Sequence, residues 1–255
     1  MSRQRWVIES SMKKTIKIRD RLHLEDMVNQ EMILYGFDCD LTHLDISQIT
    51  NLSYLFYNSK FNGNISTWNT SRVTDMERVF SGSEFNADIS KWDTSRVVNM
   101  NYMFSESKFN SDISGWDTSS VETMSGMFAN STFNGDLSKW QTQHLKAISY
   151  MFFHSTFEGD ISQWDVSGVT HMICAFSNSE FKCNLEKWTP QKVTQMNDVL
   201  ENCPAPKPYW AKYKDMAQMH KAIAQYQLIL RQKEQLDNAL EPRANKDDLT
   251  HTYKI

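Results

Sequence analysis

A period of 24 residues runs from Phe37 to Cys203 and limits the folds open to this chain. A phenylalanine opens each of seven units, and in six of them a tryptophan follows seven residues later, with Leu44 in its place in the first unit. The phenylalanines are Phe37, Phe61, Phe85, Phe109, Phe133, Phe157 and Phe181, and the tryptophans are Trp68, Trp92, Trp116, Trp140, Trp164 and Trp188. A fixed period of about 20–50 residues is typical of solenoids, whose units bury their apolar faces against each other. The sequence therefore predicts a long regular surface, which favours binding over catalysis.

Residues 1–36 precede the repeats and are too few to bury a core alone. Alternating residues in Lys13–Arg19 predict a strand, and the apolar spacing of Leu24–Tyr35 predicts an amphipathic helix that Gly36 ends. Since the first unit of a solenoid would otherwise expose core and a strand edge, we expect this segment to form a cap over the Phe37 unit.

Residues 204–255 follow the repeats and begin with three closely spaced prolines that stop the array. The composition predicts a helix from Tyr209 to about Leu240 and a polar tail over residues 242–255. The helix either folds back to cap the last repeat or binds a partner, and self-association through it is one form of the second alternative.

Within one repeat, the pattern indicates a short strand followed by a short helix. Trp68 and Thr70 alternate within 67–71, which predicts a parallel strand, and Val73, Met76 and Phe80 follow at helical spacing. The fold class predicted is therefore an α/β repeat: a leucine-rich-repeat-like solenoid of short parallel strands and short helices, with an N-terminal cap and a C-terminal helix. The recurring tryptophans and methionines are predicted to form its core.

Asp, Asn and Ser recur at fixed positions, and the carboxylates raise the question of calcium. The Asp/Asn set comprises Asp40, Asn64, Asp88, Asp112, Asp136, Asp160 and Asn184. Calcium-binding β-helices carry Gly-Gly-x-Gly-x-Asp repeats, which are absent here. We therefore expect these side chains to accept backbone N–H bonds in tight bends, and no metal site is predicted.

The sequence contains no pattern of catalytic or cofactor-binding residues. It lacks a glycine-rich phosphate loop, a nucleophile elbow and a metalloprotease motif. His144, His154 and His171 occupy different repeat positions without cysteine or carboxylate partners at metal-ligand spacing. The chain is predicted not to be an enzyme and to need no cofactor.

The units FNADISKWDTSRVVNMNYMF and FNSDISGWDTSSVETMSGMF, residues 85–104 and 109–128, carry a distinctive W-[DN]-[TV]-S-x-V-x-x-M-x-x-M-F core. Over residues 37–202 the chain resembles the BspA-like leucine-rich repeats of bacterial surface proteins. The resemblance implies a right-handed solenoid that binds proteins without catalysis. Surface members of that family carry an export signal and an anchor, neither of which is visible here, so an intracellular, phage or mobile-element version is an alternative.

The charge distribution indicates which class of partner the chain binds, and the cysteine content indicates its cellular compartment. Lys and Arg number 7 against 5 acidic residues in 1–36, 11 against 20 in 37–203 and 9 against 6 in 204–255. An acidic array argues against direct nucleic-acid binding, because phosphate contacts need cations. The four cysteines do not form a disulfide pattern, and neither a secretory signal nor a membrane span is visible, so a cytoplasmic location is predicted.

Variable outward positions are where recognition is expected, because aromatic side chains on a polar face are enriched at interfaces. The candidate partner-binding residues are Tyr54, Tyr102, Tyr150, Phe153 and His154. The alternative is that each tyrosine lies flat over the neighbouring unit.

Three functions remain after these exclusions. The first is a non-catalytic protein-binding protein: a scaffold, adaptor or inhibitor that binds one partner through the solenoid surface. The second is a surface or secreted adhesin of the BspA-like type. The third is a phage or mobile-element inhibitor whose acidic solenoid blocks a host defence or nucleic-acid-binding enzyme.

Overall fold

The computed structural model describes residues 13–213 and 215–240. The N-terminal part contains strand β1 (Ile16–Lys17), helix α1 (Arg21–Tyr35) and strand β2 (Leu44–Asp45), and β1 pairs in parallel with β2. The C-terminal part contains a 3-10 helix (Tyr209–Lys212) and helix α2 (Met216–Leu240). The stretch from 46 to 208, all of it described, consists of turns joined by single parallel bridges.

Each 24-residue unit forms one coil that lies directly on the next. Bridges join residues 24 positions apart, as between Asn51 and Asp75. Backbone N–H groups of one coil donate to carbonyls of the next: Tyr54 to Glu77 at 2.9 Å and Phe56 to Val79 at 2.9 Å. These backbone polar groups are therefore paired between coils, whereas in a helix they would be paired within one segment.

Inside each coil the structure differs from the predicted strand and helix. Residues 68–70 form no regular element, and the bridge lies further along, at Asp75. The segment 77–82, predicted as part of a helix, is a run of turns in which Arg78 and Gly82 have φ of 53° and 66°. A right-handed helix cannot continue through left-handed residues, so the three-and-four spacing of apolar residues arises from consecutive turns.

Stacked aromatic rings fill the core. The rings of Phe56 and Phe80 are 5.6 Å apart and nearly parallel, and equivalent rings continue through the array. The tryptophans stack in a second column, and each indole N–H donates to a carbonyl 27 residues earlier, as Trp116 does to Ile89 at 3.2 Å. The prediction that tryptophans and methionines form the core is confirmed, because all of these tryptophans, and methionines such as Met100, are buried.

The N-terminal cap covers the first coil only in part. Helix α1 begins after Asp20, whose carboxylate accepts the His23 N–H at 2.8 Å, and ends before Gly36, near the predicted bounds. Leu24 and Val28 of α1 are buried, but Phe37 is 48 % exposed. The segment thus packs on the Phe37 unit, but the Phe37 ring itself stays half exposed, since no coil precedes it to hold the ring.

At the C-terminal end, two elements replace the single helix predicted from Tyr209 to about Leu240. Tyr209–Lys212 is a separate 3-10 helix, and its Trp210 extends the tryptophan column, with its ring 6.5 Å from that of Trp188. The first part of α2 packs on the last coil through the buried Met219 and Ile223. Between residues 227 and 238 the apolar side chains of α2 are exposed. The predicted polar tail, 242–255, lies outside the described residues.

The recurring Asp and Asn side chains form the hydrogen bonds predicted for them. In every coil Oδ1 accepts the backbone N–H two residues later, as Asp112 accepts from Ser114 at 2.9 Å. The N–H and hydroxyl of Ser114 lower the pKa of Asp112, and the equivalent serines lower the pKa of Asp88, Asp136 and Asp160. These carboxylates therefore stabilise the bends in their ionised form.

Because the folded-state pKa of these four aspartates lies below the unfolded value of about 3.9, their contribution is present above about pH 4 and is lost as pH falls through the folded pKa. We expect the melting temperature to drop below pH 4. Replacing all four by Asn should reduce that drop, since Asn64 already accepts from Ser66 in the same way. A melting series from neutral to acidic pH measures this, and an equal drop in both proteins would contradict it.

Candidate interaction surface

Seven runs of turns, one in each coil, form a continuous strip that we name the turn face. The runs are 53–58, 77–82, 101–106, 125–130, 149–154, 173–178 and 197–202. The second and sixth residues of every run have φ between 50° and 66°. This left-handed conformation favours glycine, yet glycine occupies only Gly82 and Gly126 of these positions. Apart from Gly82, the sixth residue is Asn in four of the six other runs, and Asn tolerates the left-handed conformation. No Asn occupies the second position.

The second position of the runs carries a large or charged side chain in five of the seven coils, at a conformational cost. In order the residues are Tyr54, Arg78, Tyr102, Gly126, Tyr150, Cys174 and Asp198. Bulky residues are rare in the left-handed region. The three tyrosines predicted from the sequence as partner-binding residues thus occupy one equivalent position, and Tyr54 and Tyr150 are 47 % and 38 % exposed.

Four side chains near the start of the turn face form the N-terminal patch: Tyr54, Tyr57, Arg78 and Tyr102. The guanidinium carbon of Arg78 lies 5.9 Å from the ring centroid of Tyr54 and 4.2 Å from that of Tyr102. The Tyr54 hydroxyl donates to Glu77 at 3.0 Å, and this hydrogen bond raises the pKa of Tyr54. Cation–π contacts and this hydrogen bond order the patch before any partner binds.

Tyr102 lies across the next coil. A Cβ placed on Gly126 would be 2.2 Å from Cε1 of Tyr102, so the ring occupies the space that a side chain at 126 would need. Because its ring lies against the next coil, Tyr102 is half-buried. Of the two alternatives for the tyrosines, lying flat describes Tyr102, whereas Tyr54 and Tyr150 present more of their rings to solvent.

The C-terminal patch consists of Tyr150, Phe153 and His154. The rings of Tyr150 and Phe153 meet edge to face at 5.8 Å, and those of Phe153 and His154 at 4.3 Å. Tyr150 and His154 are exposed and Phe153 is half-buried. All three lie in the single run 149–154, so the structure brings these predicted residues together.

Sequence reasoning missed Tyr57 and Arg78. The signal was present, because Arg78 occupies the same repeat position as Tyr54, and Tyr57 the same position as Phe153. An arginine in a column of tyrosines is expected to stack on them. Aligning charged residues with the aromatic column would have identified this pair.

Outside the two patches, His144 and His171 form local contacts, and of the cysteines only Cys174 lies in the turn face. His144 Nδ1 is 2.6 Å from the Ser119 carbonyl, and His171 bonds to Thr170. Cys39 is buried, and burial raises the pKa of its thiol; all four cysteines are unpaired. Within 13–213 and 215–240, no group of three or more His, Cys, Asp or Glu side chains is placed to hold a metal ion.

Most of the chain, including the whole turn face, matches one known protein family. Residues 23–134 and 106–213 each match the family described as "Mycoplasma protein of unknown function, DUF285". The chain belongs to this DUF285 family. The two overlapping matches are consistent with a repeat protein, and both patches of the turn face lie inside the part of the chain that the DUF285 matches span. Neither a curated protein nor a solved structure matches the sequence.

Helices α1 and α2 differ from membrane-spanning helices. Among the residues that the structure describes, neither combines the length and the apolar composition needed to cross a bilayer.

Proposed function

We propose that this chain is a non-catalytic protein-binding protein that holds one protein partner against the turn face. The N-terminal and C-terminal patches supply the aromatic anchors, and the backbone-paired coils supply a rigid support. Tyrosine and arginine are the residue types that dominate binding energy at protein interfaces. A scaffold, an adaptor and an inhibitor would all use such a surface.

The observation that carries the proposal is the placement of tyrosine at left-handed positions. Such backbone strain costs on the order of 1–3 kcal/mol for each residue and is concentrated at functional sites. Gly126 shows that the coil forms without a side chain at this position. Tyr54 and Tyr150 therefore occupy positions that folding does not require them to fill, which supports a role in recognition.

The charge of the array favours a protein partner over nucleic acid. Residues 37–203 contain 11 basic and 20 acidic residues. Arg78, the arginine of the N-terminal patch, is already held between two tyrosine rings and is therefore less free to contact a phosphate. An inhibitor that imitates nucleic acid stays an alternative, and its binding would weaken steeply with salt.

We further propose that the coils are BspA-like leucine-rich repeats arranged as a solenoid. Support comes from the W-[DN]-[TV]-S-x-V-x-x-M-x-x-M-F core and from the parallel bridges that join residues 24 positions apart in successive coils. The stacking of equivalent rings at 5.6–5.8 Å along the array also supports it.

The test replaces the anchors by glycine, which suits their backbone. Tyr54→Gly and Tyr150→Gly should each weaken binding of a partner isolated with the wild-type chain by about 1–2 kcal/mol, measured by titration calorimetry. Their melting temperatures should not fall, because glycine relieves the strain at positive φ.

The matched control is Asp117→Ala with Asp165→Ala, since both residues are exposed and lie away from the turn face. This pair should leave the affinity nearly unchanged. Normal binding by both glycine variants, with loss of binding in the aspartate pair, would place recognition on the other side of the coils.

A further inference from the structure

The two ends of the turn face carry complementary backbone groups. In each of the first six coils four N–H groups point toward the next coil, as those of Leu52, Tyr54, Phe56 and Asn58 do. The equivalent groups of the last coil are the N–H groups of Met196, Asp198, Leu200 and Asn202. Among the described residues no acceptor meets any of these four.

At the other end the first coil exposes the matching acceptors. In each later coil four carbonyls accept the N–H groups of the preceding coil. The equivalent carbonyls of the first coil are those of Asn51, Ser53, Leu55 and Tyr57. Within the part of the chain that the structure describes, only the Ser53 carbonyl has a donor, Arg21 Nη2 at 2.6 Å. Unpaired backbone groups at an edge are a template for another chain.

Among the described residues, the C-terminal cap leaves the donor edge without backbone partners, and at the acceptor edge α1 reaches only the Ser53 carbonyl, through Arg21. The 3-10 helix covers the tryptophan column, and α2 reaches Val193, whose carbonyl lies 3.0 Å from His220 Nε2. Beside the last run a cavity of about 500 Å³ remains, lined in part by Met196, Leu200 and Ala211. A further coil would extend across the mouth of this cavity.

From this complementarity we propose that copies of this chain associate head to tail, with the last run, 197–202, pairing with the first run, 53–58, of a second copy. We assign a second copy of this chain as the partner, because the first coil carries the acceptors that the N–H groups of the last coil lack. These acceptors have the same spacing as those that join successive coils within one copy. Both ends also carry exposed apolar side chains, including Ile33 and Leu34 of α1 and Ile229 and Leu236 of α2, at 82 %, 69 %, 60 % and 59 % exposure. This inference goes beyond the proposed function and does not depend on it.

The repeat register predicts which side chains meet across the junction. Tyr57 and Glu201 occupy equivalent positions of the first and last runs, so Glu201 of one copy would lie beside Tyr57 of the next. Both are exposed, and Tyr57 is 45 % exposed, so charges placed there test association without disturbing the core.

Sedimentation velocity of the full chain over a wide concentration range is the test. A head-to-tail interface leaves a free end on every assembly, so we expect dimers, trimers and longer species as concentration rises. Tyr57→Glu should weaken association about tenfold or more, because it faces Glu201. Adding Glu201→Lys to the same chain should restore association, and the uncharged control Tyr57→Gln should have a smaller effect than Tyr57→Glu.

Two results would overturn the proposal. One is a monomer at every concentration. The other is a dimer that does not grow, that ignores Tyr57→Glu and that dissociates on Leu236→Gln, which would assign association to α2 alone. Tyr150→Gly, four coils from Tyr54, should leave head-to-tail association unchanged while it weakens partner binding, so the two proposals can fail separately.

Discussion

Trp116→Ala is expected to lower the free energy of unfolding by about 3–5 kcal/mol, the usual cost of removing a large buried aromatic side chain. Trp116 is 4 % exposed, its ring is 6.5 Å from that of Trp140, and its N–H donates to the Ile89 carbonyl. The substitution removes the stacking contact and leaves a buried carbonyl without its donor. Since coils stabilise only their neighbours, the loss should spread to the adjacent coils.

Urea unfolding followed by tryptophan fluorescence measures this change, with Trp116→Phe as the control. Phenylalanine restores much of the apolar volume but not the N–H donor, so its cost should lie well below that of alanine. A melting temperature of Trp116→Ala within a degree or two of wild type would show that the indole column does not hold the coils together.

Gly63→Ala is expected to lower the free energy of unfolding by about 1–3 kcal/mol through overpacking. The added Cβ would lie 2.0 Å from the carbonyl oxygen of Cys39 and 2.8 Å from the Phe61 ring. The same carbonyl accepts the Asn64 N–H at 3.2 Å, so relief of the clash would break a bond between the first two coils. In later coils Ala87 and Ser111 occupy this position, and there an Asn side chain accepts the neighbouring N–H, as Asn62 does from Asn86.

Gly115→Ala is the matched control. Nothing lies within 4 Å of a Cβ at Gly115, and its φ is not positive. Alanine there should be neutral or stabilise by about 0.4–1 kcal/mol, since it restricts the unfolded chain. Thermal melts of both variants compare the two sites. Equal stability of Gly63→Ala and Gly115→Ala would mean that the first two coils are not in the close contact described.

The features that could be predicted from the sequence are those that depend on equivalent positions. A period of 24 residues places Trp92 beside Trp68 whatever the local backbone, so the core columns follow from spacing alone. The hydrogen bonds of the Asp and Asn column follow from side-chain chemistry, because short polar side chains accept N–H groups two residues later. The end of α1 follows from Gly36, whereas its start lies three residues before the predicted Leu24, directly after the capping Asp20.

The local backbone of the coils could not be predicted in the same way. Apolar residues spaced three and four apart fit a helix, but they fit equally well a series of turns in which left-handed residues recur. The spacing alone therefore does not distinguish the two structures. Left-handed residues are usually recognised as Gly or Asn, but here Tyr54, Arg78 and Tyr102 adopt that conformation. The composition of 209–240 predicts one long helix that includes Trp210, whereas its ring joins the tryptophan column, 22 residues after Trp188 and not 24.

The common direction of the N–H groups along the turn face gives the strip an electric dipole. Each run directs its N–H bonds toward the C-terminal coil and its carbonyls toward the N-terminal coil, so the peptide dipoles of successive runs add, as they do in a helix. The partial positive charge is at the last run, where Asp198 and Glu201 are exposed, and the partial negative charge is at the first, where Arg21 donates to the Ser53 carbonyl. The charged side chains at the two ends therefore oppose the field of the backbone, in the way that acidic and basic residues do at helix termini.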